Sequence, residues 1–325
     1  MFFRKVVSRL LLAMIVVSVC AAGFTARSAA REPSGHALKI ALLPILDAFP
    51  FYVAQEYGYF KMEGLKAESV SVVSALERDQ LMQAGRIDGM LSEMTAAAVF
   101  NREKVQVKIV GVLREAYPDS PLFRILSAPK SGIESVADLA GVPIGVSKNT
   151  IIEYVTDRLL AQKGLSGDRV LMQSIPSIPE RYQLLLQGRI KAATLPDPLA
   201  KSAIKAGAKE IISDAAYPRY AVSVFIFNIG ATEKKQESIR RFLRAWDRAV
   251  AKINADPDAL VPLLFKKIRV PRNVQQGYKL PRYPFSKVPD KEQWTDVMNW
   301  MVAKGLIDKP QPYSVSVTTS FLPKK

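Results

Sequence analysis

Short apolar runs alternate with helical stretches along most of this chain. Lys39-Ile40-Ala41-Leu42-Leu43 reads as a strand, followed by an aromatic-rich helix over Phe51 to Phe60 and a stop at Gly64. A second strand is expected over Ala67 to Val73, a helix over Leu76 to Ala84 ended by Gly85, and a third strand over Asp88 to Ser92. The same order returns from Val142: a strand to Val146, a helix, a strand over Arg169 to Ile175, another helix, and a strand running to about Pro196. Two β-α-β-α-β units imply parallel strands joined by helical crossovers.

The two units also share residues. Glu77-Arg78-Asp79-Gln80-Leu81-Met82-Gln83-Ala84-Gly85-Arg86-Ile87 and Glu180-Arg181-Tyr182-Gln183-Leu184-Leu185-Leu186-Gln187-Gly188-Arg189-Ile190 lie 103 residues apart and are identical at seven of eleven positions. Each runs into an apolar stretch that stops at an acid, Glu93 in the first and Asp197 in the second. The period is too long for a solenoid. It predicts one αβ unit used twice, so that two similar lobes face each other across a cleft where a small ligand can sit.

The connections suggest how the lobes are divided. The Tyr117-Pro118-Asp119-Ser120-Pro121 segment is turn-rich and marks a first crossing between lobes; residues 217–220 mark the return. Strands are expected over Val105 to Leu113, Leu122 to Ala128 and Val222 to Asn228, a short helix over Ser131 to Gly141, and helices over Glu233 to Asn254 and Glu292 to Lys304, the latter capped by Asp290. Lobe I then comprises residues 31–125 and 221–325, and lobe II residues 126–220.

Residues 1–30 stand apart. Arg4, Lys5 and Arg9 precede an apolar run from Leu10 to Phe24, and Ser28-Ala29-Ala30 supplies small residues for cleavage. This is the pattern of a secretory signal peptide, so a periplasmic protein is expected. Cys20, the only cysteine, lies inside that segment; Val17-Ser18-Val19-Cys20 loosely resembles a lipobox, which leaves a lipid anchor as the alternative. Cleavage after Ala30 would leave no cysteine for a disulfide, thiolate nucleophile or metal site. A single histidine, His36, argues against a Ser-His-Asp triad and a multi-histidine zinc site. No dinucleotide fingerprint, P-loop or nucleophile elbow occurs. No cofactor and no metal are expected. The four basic residues of the first thirty leave +12 of the +16 formal charge, which favours an anionic ligand, an anionic membrane surface or simple solubility; nucleic acid fits poorly.

The Glu56-Tyr57-Gly58-Tyr59-Phe60-Lys61-Met62-Glu63-Gly64-Leu65 segment, then Gln83-Ala84-Gly85-Arg86-Ile87-Asp88-Gly89, resembles the solute-binding proteins of ABC importers. The nearest branch is the nitrate/sulfonate/taurine and thiamine-pyrimidine-precursor type. Residues 133–145 are similar to that family's opening of lobe II, and Asp197-Pro198 to its closing acid-proline pair. The resemblance implies a type II periplasmic binding protein fold of class α/β. Its two βαβ lobes would be joined by a two-segment hinge and close around one ligand that is passed to permease subunits in the inner membrane. The reading is of a binding protein and not an enzyme. The alternative is a periplasmic sensor presenting ligand state to a membrane receptor. A third class, an enzyme on this scaffold, would have to work with carboxylates alone.

Ligands in open α/β lobes sit beyond the carboxyl ends of the strands. That selects Asp47, Phe49 and Tyr52 after the first strand, Ser74 and Ala75 after the second, and Glu93 and Thr95 after the third. From lobe II it selects Ser147, Lys148, Asn149 and Thr150, then Ser177 and Asp197. Exposed N–H groups at helix starts suit an anion, above all at residues 147–150. Capping by Asn149 or Asp197, and burial of Tyr52 as helix core, are the plainer alternatives. Glu93 and Asp197 from opposed lobes would suit an amine or a hydrogen-bonding heterocycle, and would suit nitrate poorly.

Overall fold

The structure, a computed structural model, describes residues 36–324; the expected signal peptide and Cys20 lie outside the described residues. Lobe I opens with β1 (Ala37–Leu42), α1 (Phe49–Glu56), α2 (Tyr59–Met62), β2 (Lys66–Ser71), α3 (Ala75–Gln83), β3 (Gly89–Ser92), α4 (Met94–Phe100) and β4 (Val107–Glu115). Lobe II holds β5 (Phe123–Ser127), β6 (Ile144–Val146), α5 (Ile151–Ala161), β7 (Met172–Ser174), α6 (Ile178–Leu186), β8 (Ala192–Pro196), α7 (Leu199–Lys205) and β9 (Lys209–Ser213). The chain then returns through β10 (Val222–Asn228), α8 (Ile229–Lys234), α9 (Gln236–Ala255), α10 (Val261–Lys267), α11 (Lys291–Ala303) and α12 (Tyr313–Ser316).

Each lobe is built on a five-stranded sheet, ordered β2-β1-β3-β10-β4 in one and β7-β6-β8-β5-β9 in the other. In both, the first three strands are parallel and the fourth runs antiparallel. The fourth strand of each sheet comes from beyond the repeated unit, which is why the chain crosses between lobes twice. The chain passes between the sheets at residues 116–122 and 214–221, and β5 pairs within the second sheet. Asp214 ties the two crossings together by accepting the backbone N–H groups of Leu122 (2.9 Å) and Phe123 (2.8 Å).

The repeat is structural as well as sequential. Helices α3 and α6 occupy equivalent positions, and their N-caps Ser74 and Ser177 accept from the backbone of Glu77 and Glu180. Gly85 and Gly188 end them with φ of +64° and +66°, a conformation open to glycine at little cost. Three expectations differ, the first being that the aromatic-rich helix of Phe51 to Phe60 is two helices, α1 and α2, parted where Gly58 takes a left-handed φ of +71°. Ser131 to Gly141 forms only a single turn, Ala137–Leu139: the segment's buried residues, Ile133 and Leu139, are six positions apart and so do not share a helix face. The long helix expected from Glu233 is two helices that break at Lys235. The main core of lobe I lies where α9 covers its sheet: Phe225 meets Trp246 at 4.7 Å and Phe242 at 4.9 Å between ring centres, edge to face.

Candidate functional site

A chamber of about 40 Å³ lies between the sheets. Its walls come from the carboxyl ends of the parallel strands and the starts of the antiparallel ones. Leu43 and Asp47 follow β1, Leu91 to Glu93 end β3, and Ser223 begins β10; opposite them stand Ser147, Pro176, Pro196 and Phe123. Ala75, Ser147, Thr150 and Pro176 also line a wider recess of about 420 Å³, whose outer wall includes Leu76, Lys148, Asn149 and Leu306. The inner chamber holds only a few water molecules' worth of space, and the recess brings the cleft to the size of a small-molecule site.

The expected residues divide into three groups. Asp47, Ala75, Glu93, Ser147 and Thr150 line the chamber, and Lys148 and Asn149 line the recess. Ser74 and Ser177 spend their hydroxyls on capping α3 and α6. Phe49, Tyr52, Thr95 and Asp197 line neither space. Phe49 is fully buried in lobe I, where the turn Leu46–Ala48 leads it into the first turn of α1. Tyr52 packs edge to face on Phe51 at 5.8 Å. Thr95 is buried with an unpartnered Oγ1. Asp197, just beyond the end of β8, pairs with Arg124, and Lys201 approaches it at 3.6 Å. Ser92 was not singled out by the sequence, yet its unpartnered hydroxyl lines the chamber.

Charge in the inner chamber is paired. Glu93 receives both terminal nitrogens of Arg78 at 2.9 and 3.0 Å, a bidentate geometry that fixes the carboxylate. Burial works against the Arg78 charge, but Glu93 and Asp79 outweigh it and raise its pKa above the ordinary guanidinium value. Arg114 holds Asp47 at 3.1 Å. The acids that looked available for an amine are therefore neutralised from within their own lobes. Arg181 differs: it is fully buried, forms no ion pair among the described residues, and burial pulls its pKa down to about 9.

The loop after β6 is also partly committed. Thr150, not Asn149, caps α5: its hydroxyl accepts from Ile152 at 3.1 Å and donates to the Ser147 carbonyl at 2.8 Å. Asn149 takes a left-handed φ of +62°, and its N–H donates to Glu153 Oε2 at 2.6 Å. A protein carboxylate thus occupies one of the donors that an anion would have used. Among the described residues, no three His, Cys, Asp or Glu side chains gather as a metal site would require.

Two lobes of equal topology, a double crossing and a chamber between strand ends agree with a family model. Residues 46–260 match the family described as NMT1/THI5 like. The chain belongs to this family. A curated relative, the formylaminopyrimidine-binding protein of Halalkalibacterium halodurans, is 23% identical over 291 residues, spanning 82% of this chain and 86% of its own. Among solved structures, the ligand-binding component of an ABC-type import system from Staphylococcus aureus, with zinc bound, superposes with a TM-score of 0.74 at 15% identity, covering 88% of this chain and 97% of that one. The desulfurization enzyme DSZB has the same fold, with a TM-score of 0.64 at 16% identity, covering 88% and 97%. The fold therefore serves both binding proteins and an enzyme.

Proposed function

We propose that the protein is the extracytoplasmic solute-binding component of an ABC importer. It captures a small organic solute or anion between its lobes and delivers it to the permease in the inner membrane. The observation that carries this reading is the chamber walled by matching strand ends of two repeated lobes. A ligand held there touches both lobes and so favours the closed arrangement by its differential affinity for it. Residues 116–122 and 214–221 serve as the hinge. Asp47, Ser92, Glu93, Ser147 and Thr150 are the contacts we assign to the inner chamber, with Lys148 and Asn149 at the recess.

The reading is non-enzymatic. The two chamber carboxylates, Glu93 and Asp47, are each held by an arginine, which disfavours a free general base. Export by residues 1–30 and a periplasmic location belong to the same proposal, supported by the sequence pattern of that segment and by the family. No helix among the described residues is long and apolar enough to cross a membrane. The relatives do not favour the sensor alternative.

The test is equilibrium binding by titration calorimetry with a solute library, for wild type and Ala75→Phe, which fills the chamber from lobe I. Saturable binding to wild type that Ala75→Phe removes without loss of fold supports the proposal. Turnover of the bound solute by the protein alone would contradict it.

A further inference from the structure

The two copies of the repeated helix differ at one charge. Arg78 and Arg181 hold the same position in α3 and α6, and both are fully buried. Each reaches the equivalent carbonyl of the following strand: Arg78 Nη1 to Leu91 O at 3.3 Å, and Arg181 Nε to Thr194 O at 3.0 Å. In lobe I the arginine then meets Glu93. The residue at the equivalent place in lobe II is Pro196. Arg181 instead donates through Nη1 to Ser147 Oγ at 3.1 Å and Ile175 O at 2.5 Å, and its Nη2 is buried without a partner.

A buried cation with only neutral partners is an expensive arrangement, and an anion brought beside it relieves the expense. The space for such an anion exists: Ser147, Pro176 and Pro196 all face the chamber. The other candidate place, the start of α5, is less suited, since Glu153 already holds the Asn149 N–H there.

We propose that Arg181 is the residue that selects for a negatively charged solute, whose anionic group lies against Ser147, Pro176 and Pro196 in the place Glu93's carboxylate takes in lobe I. This rests on the chamber being the solute site. Ser147 Oγ accepts from Arg181 and donates to Pro176 O at 3.1 Å, so the hydroxyl is fixed between the guanidinium and the chamber. The one Ser147 proton is thus given to Pro176 O, and Arg181 is accordingly a positioning residue that acts on the anion through its charge.

The first experiment needs no ligand. Pro196→Glu supplies the carboxylate that lobe II lacks, and Pro196→Gln is its uncharged match. The Glu variant is expected to melt higher than the Gln variant at neutral pH, with the gap closing as acid protonates the new carboxyl. The gap should also vanish in an Arg181→Met background. Equal melting temperatures, or a gap that survives Arg181→Met, would overturn the proposal.

The second experiment titrates matched probes, benzoate against benzamide and methanesulfonate against dimethyl sulfone. Wild type should prefer the charged member by roughly tenfold or more, the worth of a charge-assisted contact. Arg181→Lys should keep most of that preference and Arg181→Met should lose it. Tight binding of the neutral members by wild type would overturn the charge claim while leaving the solute-binding reading in place. Stabilisation by Pro196→Glu supports the charge claim even where no probe binds, an outcome that would count against the solute-binding reading instead.

Discussion

Asp296 and Arg158 meet at 2.9 Å although they stand on different lobes. Asp296 is on α11, which packs against α4 of lobe I and is tied there through Gln311, whose carbonyl accepts from Trp294 and whose side chain donates to Ala98 O. Arg158 is on α5 of lobe II, one turn from Tyr154, which also donates to Asp296. Beside them Trp300 Nε1 and Lys304 Nζ reach Asp157 at 2.8 and 2.7 Å. Any parting of the lobes along this side breaks these contacts. Asp296→Asn is therefore expected to loosen closure. The pair is partly exposed, so the effect is modest, about 2- to 5-fold in ligand dissociation constant. Calorimetric titration at two salt concentrations measures it.

Glu93 and Arg78 should behave very differently from that surface pair. Both are buried, and Glu93→Gln leaves a desolvated guanidinium with Asp79 as its remaining carboxylate. The expected loss is about 3 kcal/mol or more of folding stability, read by urea denaturation. A loss below about 1 kcal/mol would show that the pair is solvated in the resting protein.

Asp214 carries a pH signature. Burial raises its carboxyl pKa to about 7, against the pull of the Phe123 and Leu122 N–H groups and of Arg114 and Arg124. A carboxyl whose pKa is higher folded than unfolded binds more protons in the native state. Its contribution is thus fully present below the unfolded value and is lost as pH rises through about 7. Wild type minus Asp214→Asn, compared by melting at several pH values, should show stability falling between about pH 4 and 7 by on the order of 1 kcal/mol per unit. A flat difference would place the carboxylate ionised throughout.

Gly89 meets Phe227 so closely that a Cβ there would sit 2.7 Å from its ring. The two residues are cross-strand partners in lobe I, β3 against β10. Gly89→Ala should destabilise by about 1–3 kcal/mol through overpacking. Gly89→Ala combined with Phe227→Leu should recover part of that in denaturation.

Much of the architecture is legible in the sequence because it is periodic. The shared Glu-Arg and Gly-Arg-Ile signatures mark α3 and α6, and Asp290 announces α11 through a capping box completed by Gln293. The chamber is less legible. Glu93 can be placed at a strand end, but nothing local shows that Arg78, fifteen positions earlier, folds back over it with both nitrogens. Phe49 stands two residues after Asp47, yet one is buried in the core and the other lines the chamber, a choice made where the turn Leu46–Ala48 runs into α1. The difference between Glu93 and Pro196 is visible in the aligned repeat and takes its meaning only from the burial of both arginines.

The most direct test of closure around a ligand is a distance. Cys20 is the only cysteine, so a chain beginning at Arg31 accepts labels cleanly. Gln83 and Ser174 are exposed and line opposite sides of the recess. Spin labels at Gln83→Cys and Ser174→Cys report the cleft mouth by electron–electron double resonance. A shorter, narrower distance distribution on saturation with a bound solute is the predicted result. An identical distribution with and without that solute would contradict closure between two lobes.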